Sequence, residues 1–116
     1  MLVLNRFVVE ENAADLFTER ARAALAALAV RPGYLRGELT RALDDPLRWC
    51  LVTEWESVGT YRRALGDVTV RVEATPLLAE SLDEPSAYES LATAEPGGEI
   101  RLSASDRARR PHRRPG

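Results

Sequence analysis

The chain has 116 residues, 45% of them hydrophobic, and a formal net charge of −2, which is the size and composition of one globular domain. It has no run of eighteen apolar residues, so no membrane-spanning helix is expected. It enters an alternating strand at once, without the basic region and apolar core of a secretory signal, and the expected location is the cytoplasm.

Residues 2–9 (Leu-Val-Leu-Asn-Arg-Phe-Val-Val) alternate as a strand. Val3, Asn5, Phe7 and Val9 fall on one side, which is apolar except for one amide. A buried amide needs hydrogen-bond partners or a ligand that supplies them, and Asn is a poor strand former. Asn5 therefore breaks the local rule in the middle of a strong strand and is the first candidate for a functional residue. The alternative is a core amide bonded to a neighbouring side chain or a bulged backbone.

Asn12 is positioned to cap a helix from about Ala13 to Ala29, with Phe17, Ala21, Ala24, Leu25 and Leu28 forming one apolar stripe. Arg31-Pro32-Gly33 stops it. Residues 34–43 alternate next, with Leu35, Gly37, Leu39 and Leu43 on one face, interrupted by Arg41. After the turn Asp44-Asp45-Pro46, residues 48–55 complete a hairpin with Trp49, Leu51, Thr53 and Trp55 on one face. Cys50, the single cysteine, lies on the other face and reads as a small hydrophobe. Ser57 caps a short helix through Tyr61 and Leu65, ended by Gly66. Residues 68–74 fit a strand by alternation and a short helix by position, continued by Leu77 to Leu82. Residues 86–91 read as a last strand.

The remainder, residues 93–116, reads as an Arg/Pro-rich, flexible tail to a folded domain of residues 1–92. Residues 101–116 hold six arginines against one acid, a net of +5, and residues 1–100 carry −7. All the basic residues are arginine, which reads as the coding bias of a GC-rich genome. The tail lacks aromatic residues to stack on bases, so nucleic-acid binding is not supported. No core histidine or Cys/His pair is present, which argues against a metal site or a nucleophilic triad, and no Gly-rich loop follows a strand.

The order strand, helix, strand, strand, helix, strand is the split βαβ pattern of a ferredoxin-like α+β fold, a four-stranded antiparallel sheet with helices on one face. The strands are apolar on both faces. The face without helices should meet a second copy of the chain, making a homodimer through the sheet. Arg6 and Trp49 are expected on the face opposite or alongside that contact, in structural roles.

The chain resembles the antibiotic biosynthesis monooxygenase family of dimeric α+β barrels. The residues that carry the likeness are Asn5-Arg6-Phe7, Arg31-Pro32-Gly33-Tyr34, residues 51–57 (Leu-Val-Thr-Glu-Trp-Glu-Ser), Tyr61-Arg62-Arg63-Ala64-Leu65 and Glu84-Pro85-Ser86-Ala87-Tyr88. The resemblance implies oxidation of a phenolic or anthrone-like aromatic to a quinone with O2 and no cofactor. Asn5, Trp55 and Tyr61 are then the catalytic candidates, and Phe7, Arg62 and Arg71 the substrate contacts. It also implies a haem-degrading branch, whose Trp and His positions fall near Ala64 and Ala74. The only histidine is His112, in the tail, so the core lacks an axial ligand. The rival from another class is a non-catalytic small-molecule-binding or scaffold protein of the same fold.

Overall fold

In the computed structural model, which describes residues 1–104, alternation sets the sheet. Strands β1 (Leu2–Val8), β2 (Tyr34–Arg41), β3 (Arg48–Trp55) and β4 (Ala87–Tyr88) lie in the order β2-β3-β1-β4, all antiparallel. This is the expected ferredoxin-like topology. Val3, Asn5 and Phe7 of β1 and Trp49, Leu51, Thr53 and Trp55 of β3 are buried, and their alternate neighbours are not. The helices α1 (Ala14–Ala29), α2 (Val58–Leu65), α3 (Val68–Glu73) and α4 (Thr75–Leu78) close over that face. They contribute Phe17, Ala21, Ala24, Leu28, Ala64, Val70, Ala74 and Leu77 to the core. The small alanines of α1 let the helix approach the sheet closely. No helix among the described residues is long and apolar enough to cross a membrane.

The structure corrects several local expectations. Asn12 does not cap α1. Residues 11–13 form a 3-10 turn, and the helix starts at Ala14 behind Ala13, with no side-chain cap. In β2 the simple alternation fails at its first turn of pleat. Tyr34 pairs with Trp55 and Arg36 with Glu54, so Leu35 is an extra, bulged residue. The bulge leaves Leu35 52% exposed and brings Tyr34 to the helix-covered side. Gly37 makes room for it, since a Cβ there would lie 2.5 Å from the Tyr34 hydroxyl. Arg41, which interrupts the apolar pattern, places its guanidinium over the Trp49 ring, 5.2 Å from the centroid.

Residues 68–73 are helical. Asp67 caps α3, accepting from the Thr69 and Val70 amides at 3.0 and 3.2 Å. Alternation in Val68, Val70 and Val72 leaves only Val70 buried. The helix α4 ends at Leu78, short of Leu82, and the Leu82 amide donates to the Arg6 carbonyl at 2.7 Å, tying this segment to β1. The last strand of the sheet is two residues, shorter than expected. Beyond it, Ala92–Ala94 (β5) and Ile100–Leu102 (β6) pair as an exposed hairpin, where the sequence suggested only tail. Residues 105–116, including His112 and most of the arginines of the tail, lie outside the described residues.

Candidate functional site

Three helices meet beside Trp55. The Ser57 hydroxyl accepts from the Thr60 amide at 3.1 Å, and the Thr60 hydroxyl accepts from the Ser57 amide at 3.2 Å, a reciprocal cap that fixes where α2 begins. Gly33 sits against this cap with φ +88°, and a Cβ there would fall 2.3 Å from the Thr60 Cβ. The start of α2 is thereby held against the turn after α1. Asp67, besides capping α3, pairs with Arg31 at 3.3 Å, so the end of α1 holds the start of α3.

Between these fixed ends is an open cavity of about 540 Å³, lined by Tyr61 and Leu65 of α2, Arg71 of α3, Thr75 and Leu78 of α4, and Ala79. Its volume suits a drug-sized or polycyclic ligand. Among the described residues, the Tyr61 hydroxyl and the Arg71 guanidinium have no hydrogen-bond or ion-pair partner. Burial holds the Tyr61 phenol above its ordinary value of 10.0, so it remains a neutral donor at working pH. No carboxylate or histidine lines the cavity.

Behind Tyr61 stands Trp55, wholly buried. Its ring lies between Tyr61 and Tyr34, with centroids 5.3 and 5.4 Å away. Its indole N–H donates to the Thr53 hydroxyl at 2.9 Å. Strand side chains two residues apart share a face, which is why Thr53 can reach it. The indole N–H is therefore engaged within the protein, and the Trp55 ring packs against Tyr61 without lining the cavity.

Asn5 is 8% exposed, and among the described residues its side-chain amide has no hydrogen-bond partner. It does not line the Tyr61 cavity. Its strand adjoins the chain that leaves the cavity wall, because Arg6 accepts from Leu82 three residues after Ala79. Phe7 is packed at the other end of the sheet, 5.0 Å from Phe17, which in turn touches Trp49 at 5.4 Å. Arg62 is exposed and does not line the cavity. The candidates thus divide: Trp55, Tyr61 and Arg71 come together, Asn5 stands apart on the same face of the sheet, and Phe7 and Arg62 lie elsewhere.

Sequence reasoning missed Thr53, Tyr34, Leu65, Thr75 and Leu78. The signal for Thr53 was its place two residues before a buried tryptophan. Tyr34 was hidden by the bulge, which alternation cannot foresee. Arg6 is on the helix-free face, in register with Cys50 and Thr40, alongside the surface where a second copy was expected. At the positions where the haem-degrading branch carries Trp and His, Ala64 and Ala74 are buried methyl groups in the core, so the His position offers no ligand.

Fold and cavity together define a ferredoxin-like α+β domain with an open, mostly apolar groove between its short helices. A model of the antibiotic biosynthesis monooxygenase family matches residues 1–67, more than half of the chain, and the chain belongs to that family. It is 31% identical over 96 residues to a deoxynogalonate monooxygenase of Streptomyces nogalater, covering 83% of this chain and 80% of that one. The crystal structure of SnoaB, a cofactor-independent oxygenase from Streptomyces nogalater, is similar at 29% identity and TM-score 0.61, covering 78% of this chain and 94% of that one. A conserved protein from Methanosarcina mazei Go1 shares the fold at 17% identity and TM-score 0.61, covering 74% and 84%. The family match includes Tyr61 and Leu65. The other cavity residues follow it in the chain.

Proposed function

We propose that this protein is a cofactor-independent monooxygenase that oxidises an anthrone-like or phenolic aromatic to a quinone with O2. The observation that carries the reading is a phenol and a guanidinium without protein partners on the wall of one apolar, ligand-sized cavity. The names of the two Streptomyces nogalater proteins support the reaction class. In this reading the aromatic ring lies on Leu65, Leu78 and Tyr61. The Tyr61 hydroxyl donates to the substrate oxygen that becomes anionic. A preorganised donor stabilises a developing anion without having to reorganise during the reaction. The anion passes an electron to O2, the pair recombines at the ring carbon, and loss of water leaves the new carbonyl. One oxygen atom stays in the quinone and the other leaves as water. The substrate is the reductant, so no redox cofactor enters the balance. No side-chain base lines the cavity, and the substrate proton goes to solvent.

Asn5 is proposed as a second donor for a ligand that extends from the Tyr61 cavity toward β1, because its side chain lies largely buried on the sheet face without a protein partner among the described residues. The working form is proposed to be a homodimer through the helix-free face of the sheet. Leu2, Leu4, Cys50 and Val52 stand there half-buried in the single chain with no helix over them.

The test is O2 uptake by the purified protein with a panel of anthrones and hydroquinones, in the presence of a chelator and against protein-free autoxidation. Uptake of one O2 per anthrone consumed, with quinone formed, is expected. Tight binding of the same compounds without uptake would leave a non-catalytic binding protein. Neither binding nor uptake would leave a scaffold of the same fold.

A further inference from the structure

The C-terminal hairpin lines no part of the Tyr61 cavity, and the single chain does not cover it. Its turn is well defined. The Glu95 amide donates to the Glu99 carbonyl at 3.2 Å, and the Gly98 amide to the Glu95 carbonyl at 2.9 Å. Gly97 and Gly98 take φ of +107° and +92°, a conformation that glycine reaches without strain. The ladder runs on past β6, where the Ser103 amide donates to the Leu91 carbonyl at 2.9 Å. In this register Ala92 lies opposite Leu102 and Ala94 opposite Ile100, so these four side chains share one side. Thr93 and Arg101 share the other. The hairpin is therefore two-sided in polarity. Yet every residue from Leu91 to Ala104 is exposed, with Ile100 at 60% and Leu102 at 82%. A two-stranded hairpin with no packed side is marginal in water, and this one has an apolar side to bury.

We infer that this hairpin is an arm, which lays its Ala92, Ala94, Ile100 and Leu102 side against the helix-free sheet of a second copy of the chain, beside the contact between the two sheets. The inference rests on the sheet-face homodimer proposed above and adds to it the element that reaches across. The root of the arm lies at the rim of that face. Residues 89–91 alone join β4 to β5, and Tyr88 of β4 pairs with Leu2 at the edge of the sheet. Leu2, Leu4, Cys50 and Val52 stand on the same face with no helix over them. One chain thus carries an apolar sheet face without a cover and an apolar-sided hairpin with nothing beneath it. Its own arm does not fill its own face, since Ile100 and Leu102 stay exposed. A two-fold axis satisfies both surfaces at once. Each arm covers part of the partner's sheet in a closed, self-complementary contact, and growth stops at two chains. Thr93 and Arg101 then point to water, as their polarity requires.

The test measures the dimer dissociation constant of the full chain by sedimentation equilibrium. Ile100→Glu and Leu102→Glu, on the apolar side of the arm, should each weaken dimerisation about tenfold or more, because a carboxylate is left unpaired in an apolar contact. Thr93→Glu, on the other side of the same hairpin, should leave the constant unchanged. A wild-type dimer that none of the three weakens, or that Thr93→Glu weakens as much as the other two, overturns the arm and leaves the sheet-face dimer standing. A wild type that stays monomeric at micromolar concentration overturns both. A second measurement locates the contact. Chain carrying p-benzoylphenylalanine in place of Leu102 is refolded with an excess of isotopically heavy wild type and irradiated. Cross-links to sheet peptides of the heavy chain are expected. Cross-links found only within the unlabelled chain overturn the inference.

Discussion

Asn5 and Thr53 both face the helices from neighbouring strands, and their chemistry differs. The Thr53 hydroxyl is the partner of the Trp55 indole. Replacing it with valine leaves a buried N–H unpaired, and Thr53→Val should lower the unfolding free energy by about 1–3 kcal/mol in a urea melt. Asn5 has no protein partner among the described residues, so Asn5→Leu removes a polar group that the fold does not use. That change should leave the urea midpoint unchanged or raise it, while anthrone turnover falls by ~10²–10³ if the amide donates to a developing anion. A clear loss of stability with wild-type turnover per folded chain would assign Asn5 to the core instead. Asn5 was legible in the sequence because it breaks the pattern of its strand. The partner of Trp55 was equally available, as the next residue on the same face. Tyr61 allows a pH test as well. Its folded pKa is raised by burial, so its stabilising effect is complete below pH 10 and is lost as pH rises through the folded value. Tyr61→Phe should flatten part of the decline in stability above pH 10, followed by urea melts from pH 8 to pH 11.

At the scale of elements, the strands and α1 were legible because period 2 and the i, i+3, i+4 stripe leave strong patterns. The third helix was not, since Val68, Val70 and Val72 mimic a strand while only Val70 is buried. The deciding signal was Asp67 after Gly66, a helix cap that outweighs valine propensity over six residues. The expected Asn12 cap fails because a 3-10 turn intervenes before α1. Asp67 also pairs with Arg31, so one carboxylate joins α1 to the helix that carries Arg71. Asp67→Ala should cost about 1–2 kcal/mol through the lost cap alone. Gly33 has no substitute at the turn before β2. Gly33→Ala meets both a positive φ and the Thr60 side chain, and should cost about 2 kcal/mol or more by thermal or urea unfolding.

For the whole molecule, the one-sided helix layer is the decisive fact. A sheet covered by helices on one face leaves Leu2, Leu4, Cys50 and Val52 without cover in the single chain. The proposed dimer should bury more than roughly 1,000 Å² in total and persist at micromolar concentration in sedimentation velocity. A stable monomer under those conditions would contradict it. The fold was legible at this scale from the order of elements alone. The cavity was not, because it is built from short helices whose mutual placement depends on caps and ion pairs that pattern reading does not reach. The C-terminal hairpin was also missed, since both its strands are exposed and carry no burial pattern.

The central claim is that chemistry takes place in the chamber between Tyr61 and Arg71, and filling that chamber tests it most directly. Ala79 is exposed, lines the cavity, and follows α4 without packing in the core. Ala79→Trp places an indole in the space assigned to the substrate ring. Anthrone-dependent O2 uptake should fall at least about a hundredfold with far-UV circular dichroism and melting temperature unchanged, because a ligand displaced by even about 1 Å loses rate on that scale. Wild-type turnover in the folded Ala79→Trp protein would show that the reaction is carried out elsewhere.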